Sequence, residues 1–232
     1  MIRIVLQKTY KKKLLSATLI GVRHIGTPEE YRLIRREIDE ALFGRKLIFA
    51  EGIWDNPTLP LRSKNAIRIN ALFNDTVVSE SHKYQAQNES LVTQEANLQL
   101  PASTKLADVS RQLEANFLDA QGIRVPWWLY EWTLFIQKDP QRSKILCAIM
   151  HSRLMQRYGA SFVEKLSVYA GKRFHILWRK TLAISLAFRD DMAVQMIRAM
   201  GGDKKSFILI YGESHLPGLT KFLEAEGWKK QT

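Results

Sequence analysis

The fold is decided between residues 14 and 52, which read LLSATLIGVRHIGTPEEYRLIRREIDEALFGRKLIFAEG. Apolar, partly β-branched residues from 14 to 21 predict a strand. A capping box that opens at Thr27 predicts the start of a helix, and apolar residues keep helical spacing as far as Gly44. Residues 46 to 52 predict a second, buried strand. Two strands joined by a helix form a βαβ unit, so we expect them to be parallel.

The end of the chain repeats these elements. Residues 184 to 200 predict a long helix that ends at Gly201 and Gly202. Residues 206 to 211 predict a buried strand, and a last helix follows that ends near Gly227. At the start of the chain, residues 2 to 6 could pair with the first strand across a lysine-rich turn. We therefore predict an α/β fold with a mainly parallel central sheet flanked by helices.

The middle of the chain, residues 54 to 160, is predicted to be a mostly helical insertion or cap between the two halves of the sheet. Residues 66 to 78 fit either a strand or a helix, and residues 80 to 98 predict a polar, solvated segment. Three stretches have helical patterns: residues 109 to 118, 127 to 138 and 143 to 158.

The composition is that of one soluble globular domain spanning residues 1 to 232. Hydrophobic residues make up 46% of the 232 residues and charged residues 25%. The single cysteine, Cys147, excludes an intramolecular disulfide and any zinc site built from several cysteines. We find no signal peptide, and the longest apolar stretch, residues 127 to 136, is shorter than the roughly 20 residues of a spanning helix. We therefore expect a soluble, cytoplasmic protein.

The chain is basic, with a net charge of +12 and a sequence pI of about 9.8. The lysines and arginines are spread along the chain and mixed with acids, and they accompany no known nucleic-acid motif. A solvated basic surface is the simpler interpretation. Nucleic acid stays open as an alternative partner.

Two similar tetrapeptides mark the candidate site. They are Gly21-Val22-Arg23-His24 near the start and Gly212-Glu213-Ser214-His215 near the end, and each follows a predicted strand. Glu51 lies at the end of the second strand. The carboxyl ends of parallel strands share one edge of the sheet, so we expect His24, Glu51 and His215 to converge there. Gly21 and Gly212 are interpreted as residues that permit an unusual backbone where the chain turns.

Two imidazoles and a carboxylate are the ligand set of a catalytic metal with one position left for water. The predicted ligands are His24, His215 and Glu51; alternatively, Glu51 is the general base, or a purely structural cap or ion-pair partner. A bound divalent metal would lower the pKa of its water and polarise a carbonyl. Zinc, manganese, cobalt and iron all suit these ligands.

The pair of Gly-x-x-His motifs, the second continuing as His215-Leu216-Pro217-Gly218, resembles the TraB/PrgY/Tiki superfamily, which is related in fold to ChaN-like and erythromycin-esterase-like proteins. The resemblance covers roughly residues 16 to 53 and 183 to 228. Glu51 matches the family's glutamate, and Arg189 matches its arginine on the helix before the second motif. It implies metal-dependent hydrolysis, which we extend to a peptide, amide or ester bond. Arg189 is interpreted as neutralising a developing oxyanion, as clamping a substrate carboxylate, or as making an ion pair with a nearby acid on the helix surface.

The chain departs from the family pattern at three positions. Arg23 and Glu213 stand where smaller residues are usual, and Phe188 stands where an acid often precedes the arginine. The membrane segments of many relatives have no counterpart. These departures affect the expected substrate more than the expected site.

Other residues receive structural interpretations. His82, His151 and His175 have no motif around them. Asp190 and Asp191 are adjacent on a helix and point in different directions, so they do not form a paired-carboxylate site. The aromatic residues are interpreted as a core or interface face, or as the lining of a peptide groove; they are Trp127, Trp128, Tyr130, Trp132 and Phe135.

Three functions follow from these observations. The leading one is a metal-dependent hydrolase of a peptide, amide or ester bond, with His24, Glu51, Arg189 and His215 in its site. The second is a module that binds a peptide or regulatory partner without turnover. The third is a nucleic-acid-binding protein, whose affinity would fall steeply with salt.

Overall fold

The computed structural model describes residues 7–52, 55–72, 91–139 and 172–231, together with five single residues: Lys83, Ala86, Gln141, Arg142 and Ile145. The chain divides into two compact units. Unit 1 contains Met1–Trp54, Leu91–Val109 and Leu186–Thr232, and unit 2 contains Asp55–Ser90 and Ser110–Ser185.

The described strands and helices follow one another along the chain in this order: β1 Gln7–Lys12, β2 Leu15–Val22, β3 Ile25–Gly26, α1 Pro28–Phe43, β4 Leu47–Ala50, α2 Lys64–Leu72, β5 Val92–Thr93, α3 Gln94–Asn97, β6 Lys105–Leu106, α4 Arg111–Ala120, α5 Trp127–Gln137, α6 Lys172–Ala199, β7 Phe207–Gly212, α7 Leu216–Ala225 and β8 Lys229–Lys230. A short 3₁₀ turn, Glu213–His215, leads directly from β7 into α7.

Unit 1 is an α/β structure, as predicted. Its main sheet has the order β6-β4-β7-β2-β1-β8. Strands β6, β4, β7 and β2 are parallel, while β1 is antiparallel to β2 and to β8. The predicted βαβ unit is present, but β7 from the end of the chain lies between its two strands. This insertion makes β7 a direct neighbour of both β2 and β4.

The sheet is apolar on both faces because its parallel strands are covered on both sides. Alternate residues of β7 divide between two cores: Phe207, Leu209 and Tyr211 pack with Ile197 of α6 and the apolar side of α7. Ile208 and Ile210 pack on the other face, with Tyr31, Ile34 and Ile38 of α1. Helices therefore cover both faces of this sheet.

Helix α1 begins as its sequence predicts. The side chain of Thr27 accepts a hydrogen bond from the Glu30 amide at 3.2 Å, and Glu30 accepts one from the Thr27 amide at 2.6 Å. The two hydrogen bonds complete the capping box and satisfy amides that the first helical turn leaves without partners. The helix ends at Gly44, also as predicted.

Several element predictions need correction. Helix α6 begins at Lys172 instead of residue 184. The segment 80 to 98 is not wholly a solvated loop, because Val92–Thr93 pairs with β3 and α3 follows it. The strand predicted at residues 2 to 6 lies outside the described residues, and Gln7–Lys12 is the strand that pairs with β2.

Unit 2 contains the helices predicted around residues 109 to 118 and 127 to 138. Residues 66 to 72 of the ambiguous segment are helical, as part of α2, and the rest of that segment lies outside the described residues. Its core is formed by Ile69, Leu118 and their apolar neighbours. The aromatic residues of α5 divide: Tyr130 packs against this core, whereas three are exposed, namely Trp127, Trp128 and Phe135.

Some predictions concern parts of the chain that are not described. The helix expected at residues 143 to 158 and the environment of Cys147 lie outside the described residues, as do the side chains of Trp132, His82, His151 and His175. Over the part of the chain that is described, no helix has both the length and the apolar character needed to cross a membrane.

Candidate active site

The strand order brings the two Gly-x-x-His motifs together. Val22 at the end of β2 pairs with Gly212 at the end of β7. On the other side of β7, the Glu51 amide donates to the Ile210 carbonyl at 2.9 Å and so continues the β4 pairing. The carboxyl ends of β2, β7 and β4 thus lie side by side, as the sequence analysis expected.

Glu51 is held from two directions. Its Oε2 accepts a hydrogen bond from the Gly212 amide at 2.6 Å, and its Oε1 accepts one from Nη2 of Arg189 at 2.6 Å. Burial alone would raise the pKa of Glu51, but His215, Arg189 and the Gly212 amide outweigh burial and lower it to about 2. Glu51 is therefore an ionised carboxylate at neutral pH.

His215 is 3% exposed, and both of its ring nitrogens face carboxylates. Nδ1 lies 2.5 Å from Oδ1 of Asp190, and Nε2 lies 3.3 Å from Oε1 of Glu51. Burial would lower the pKa of His215, but Asp190 and Glu51 overcome burial and raise it to about 9. The imidazole is therefore protonated at neutral pH.

Arg189 connects Glu51 to a second buried acid. Its Nε and Nη2 donate to the two carboxylate oxygens of Asp108 at 3.2 and 2.6 Å. Asp108 is 1% exposed and lies just beyond β6, so it is a further acid at the same edge of the sheet. Arg189 thus holds Glu51 in place, and its expected role with an oxyanion stays a prediction.

Tyr211 packs against the histidine. Its ring meets the His215 ring edge to face, with the ring centroids 5.8 Å apart. Its hydroxyl donates to the carbonyl of Ala107, the residue before Asp108. Burial raises the pKa of Tyr211, and the negative charge of Asp108 and Glu51 raises it further. Tyr211 therefore remains a neutral hydrogen-bond donor that ties β7 to the segment carrying Asp108.

His24 stays a predicted metal ligand. It lies in the turn between β2 and β3, where its side chain is exposed, and its carbonyl accepts from the Gln94 amide at 2.9 Å. In the described part of the chain, no group of three or more histidine, cysteine, aspartate or glutamate side chains is arranged to hold a metal ion. The structure thus brings Glu51, His215 and Arg189 into contact.

The two charged positions that depart from the family pattern are paired with each other. Nε of Arg23 donates to Oε1 of Glu213 at 2.8 Å, which links the first motif to the second. The backbone of Arg23 is also anchored, because the Tyr31 hydroxyl donates to its carbonyl at 2.8 Å. Both charged side chains are more than a third exposed, so the pair contributes little to stability. It neutralises the charge that each motif would otherwise add.

The expected reason for the motif glycines is wrong. Gly212 has φ −52°, a conformation open to any residue, and Gly21 is likewise not among the described glycines with positive φ. Gly212 instead permits a close approach, because a Cβ atom there would lie 3.0 Å from Oε2 of Glu51. A side chain at this position would crowd the carboxylate that the Gly212 amide binds.

Asp108 was not predicted as a site residue, and neither was the contact between Asp190 and His215. Asp190 and Asp191 do point in different directions, as expected; Asp190 contacts His215, whereas Asp191 is exposed and accepts from Gln195. The adjacency of Arg189 and Asp190 was a usable signal for a role of Asp190. Neighbouring side chains of a helix point in different directions, so the two residues can contact different partners of one site. Asp108 follows a strand of only two residues, which is too short to detect from its pattern.

We compared the chain with protein-family models, with curated proteins and with solved structures, and none of them matches it.

Proposed function

We propose that unit 1 is a hydrolase that cleaves a peptide, amide or ester bond. The observation that carries this proposal is the buried series of contacts Asp190–His215–Glu51–Arg189–Asp108 at the carboxyl ends of the parallel strands. Ionisable groups with strongly shifted pKa values in one place are typical of acid–base catalysis. The position at the strand ends is where α/β sheets usually bind ligands.

At neutral pH the two groups have opposite protonation states, so His215 can act as the acid and Glu51 as the base. Protonated His215 can donate the proton on Nε2 to the leaving oxygen or nitrogen as the scissile bond breaks, while the Glu51 carboxylate accepts a proton from the attacking water. Asp190 keeps the imidazole oriented through Nδ1, as the aspartate does in catalytic triads. Each proton and each bond is then accounted for in one turnover.

The same geometry restores the starting state. After the reaction Glu51 holds a proton and His215 has lost one, and Oε1 and Nε2 are 3.3 Å apart. The pKa of Glu51 is lowered to about 2 and that of His215 is raised to about 9, so the proton returns to the histidine spontaneously. Arg189 and Asp108 fix the position of Glu51 throughout this cycle.

Metal binding is a separate part of the proposal. The 3.3 Å between Nε2 of His215 and Oε1 of Glu51 suits two donors at about 2.0–2.2 Å from one ion. Asp190 on Nδ1 is the usual outer partner of a ligating histidine. The third predicted ligand, His24, is exposed, and among the described residues no group of three or more such side chains is arranged for a metal. No step above depends on a metal.

Hydrolysis is tested with a matched pair of variants. A panel of nitrophenyl esters and a mixture of peptides would be incubated with the native protein, with Asp190→Asn and with Asp191→Asn. We expect turnover by the native protein and by Asp191→Asn, and a loss of about 100-fold or more in Asp190→Asn, in line with the usual contribution of acid–base groups. Both variants remove one carboxylate from the same helix, so they differ mainly in contact with His215.

Two outcomes would contradict the proposal. One is the absence of turnover on every ester and peptide tested, with peptides instead bound equally well by the native protein and by His215→Ala; this would favour a binding module without catalysis. The other is equal activity in Asp190→Asn and Asp191→Asn, which would place the catalytic group elsewhere.

A further inference from the structure

The end of the sheet opposite the candidate site is strongly basic. Leu47 and Ala17 both pair with Phe207, and Ala17 also pairs with Tyr10, so these residues form one row across the sheet. Eight lysines and arginines lie one to three positions further from the site. We call them the basic end: Lys11, Lys12, Lys13, Arg45, Lys46, Lys204, Lys205 and Lys229.

The acids at this end are fewer and partly engaged. Glu226 is paired with Arg198 and lies 4.0 Å from Lys12, and Glu40 lies 3.7 Å from Arg36. Further acids near these turns are Asp39, Asp203 and Glu224, all three exposed. The basic end therefore carries an excess of positive charge, which attracts an anionic surface.

Two apolar side chains project from the same turns. Leu14, in the β1–β2 turn, is 100% exposed, and Phe43, at the end of α1, is 95% exposed. A single exposed apolar residue is ordinary, but here each lies beside a cation of the basic end: Leu14 follows Lys13, and Phe43 is two residues before Arg45. Apolar tips surrounded by cations match an interface that has both anionic headgroups and hydrocarbon.

The backbone at these two turns is strained in a way that favours glycine. Among the described residues, the non-glycine residues with positive φ are Lys13, at 55°, and Arg45, at 52°. A left-handed conformation costs an ordinary residue free energy that glycine does not lose, and a two-residue hairpin turn usually contains glycine or asparagine. The chain instead carries a cation at both positions.

We propose that the basic end binds an anionic lipid bilayer. Its lysines and arginines would contact the phosphate groups, and Leu14 and Phe43 would reach the boundary of the acyl chains. The apolar tips favour a bilayer over nucleic acid, whose backbone offers them no apolar region. Because the basic end and the candidate site lie at opposite ends of the same strands, a bound molecule would keep its site turned away from the lipid.

Vesicle flotation tests this proposal without any assay of activity, so it can fail or succeed independently of the hydrolase. The protein would be mixed with vesicles of pure phosphatidylcholine or of equal parts phosphatidylcholine and phosphatidylglycerol. We expect binding to the anionic vesicles only, and weaker binding as salt is raised.

Three double variants measure how much of the vesicle binding depends on the cations of the basic end, on the two apolar side chains, and on cations elsewhere. Lys13→Gly with Arg45→Gly removes two cations while relieving both positive-φ residues, so the fold is kept; we expect binding about 25-fold weaker, at about fivefold per cation. Leu14→Ser with Phe43→Ser keeps the charge, and we expect a loss of about tenfold or more. Arg32→Gln with Arg35→Gln removes two exposed cations from α1 outside the basic end and should change binding less than about twofold.

Three results would overturn the proposal. The first is equal binding to both kinds of vesicle, or binding to neither. The second is a loss in Arg32→Gln with Arg35→Gln as large as in Lys13→Gly with Arg45→Gly, which would mean that only net charge matters. The third is tighter binding to duplex DNA than to anionic vesicles, unaffected by Leu14→Ser with Phe43→Ser, which would identify a nucleic-acid surface.

Discussion

At the scale of single residues, His215 makes the stability of unit 1 depend on pH. Its pKa is raised from 6.5 to about 9 by Asp190 and Glu51 against the effect of burial. A group whose pKa is raised by folding stabilises the folded state fully at pH values below its pKa in the unfolded chain. This stabilisation is lost as the pH rises through the pKa of the group in the folded state. We therefore expect the free energy of unfolding to fall between about pH 6.5 and 9, by on the order of 3 kcal/mol.

Denaturant unfolding of chelator-treated protein across this pH range measures the effect. His215→Gln removes the titrating ring and should flatten the decline. An equally steep decline in this variant would show that another group is responsible.

Glu51 has the opposite effect, at acidic pH. Its pKa is lowered from 4.5 to about 2, so its contribution to the free energy of unfolding is fully present above about pH 4.5 and is lost as the pH falls through about 2.

Gly218 is a second residue whose substitution has a defined outcome. A Cβ atom there would overlap the carboxylate of Asp190, which binds His215. Gly218→Ala should therefore destabilise the protein by about 1–3 kcal/mol. In an Asp190→Ala background the obstructing carboxylate is gone, and alanine is the better helix former. We expect the same substitution there to stabilise by up to about 1 kcal/mol.

A thermodynamic cycle over native protein, the two single variants and the double variant measures this change of sign. If Gly218→Ala had the same effect with and without Asp190, the close contact between the two residues would not be what constrains the glycine.

The sequence predicted part of this site because its signals are local. Glu51 and His215 each follow a clear apolar strand, and parallel strands share an edge, so their meeting could be expected. Of the acids that complete the site, Asp108 has no such signal and Asp190 has only its adjacency to Arg189. The role of each depends on which side chain a short strand or a helix presents to a distant residue. His24 follows its strand equally well, yet the turn after Val22 leaves its side chain exposed.

At the scale of elements, the capping box of α1 supports the first motif. The helix begins at Thr27, and Tyr31 in its first turns donates to the Arg23 carbonyl. Thr27→Ala removes the side-chain acceptor for the Glu30 amide, so we expect a loss of about 0.5–2 kcal/mol in the free energy of unfolding. Denaturant unfolding would measure it.

Glu30→Gln is the matched control, because glutamine can still complete a capping box. It should cost less than Thr27→Ala. A larger loss in Glu30→Gln would mean that the charge at the helix start, and not the pair of hydrogen bonds, stabilises this end of α1.

The elements also show which parts of the fold a sequence can reveal. The strands of the βαβ unit and β7 are long or uniformly apolar, and α1 has a complete start signal, so all were predicted. Strands β5, β6 and β8 have two residues each and no pattern to detect. The position of β7 between β2 and β4 is set by packing between distant parts of the chain, which local periodicity does not encode.

At the scale of the whole molecule, the site collects residues from both ends of the chain, and the metal prediction depends on all of them. Nε2 of His215 and Oε1 of Glu51 lie 3.3 Å apart, and His24, the third predicted ligand, is exposed. If a metal binds through all three, protein purified without chelators should contain about one equivalent, and His24→Ala and His215→Ala should each lower that content. Elemental analysis measures the metal content, with Asp191→Asn as the control.

Two outcomes would rule out this ligand set: no bound metal, or equal metal content in the native protein and in the His24→Ala, His215→Ala double variant. A loss of metal in His215→Ala but not in His24→Ala would restrict the ion to His215 and Glu51.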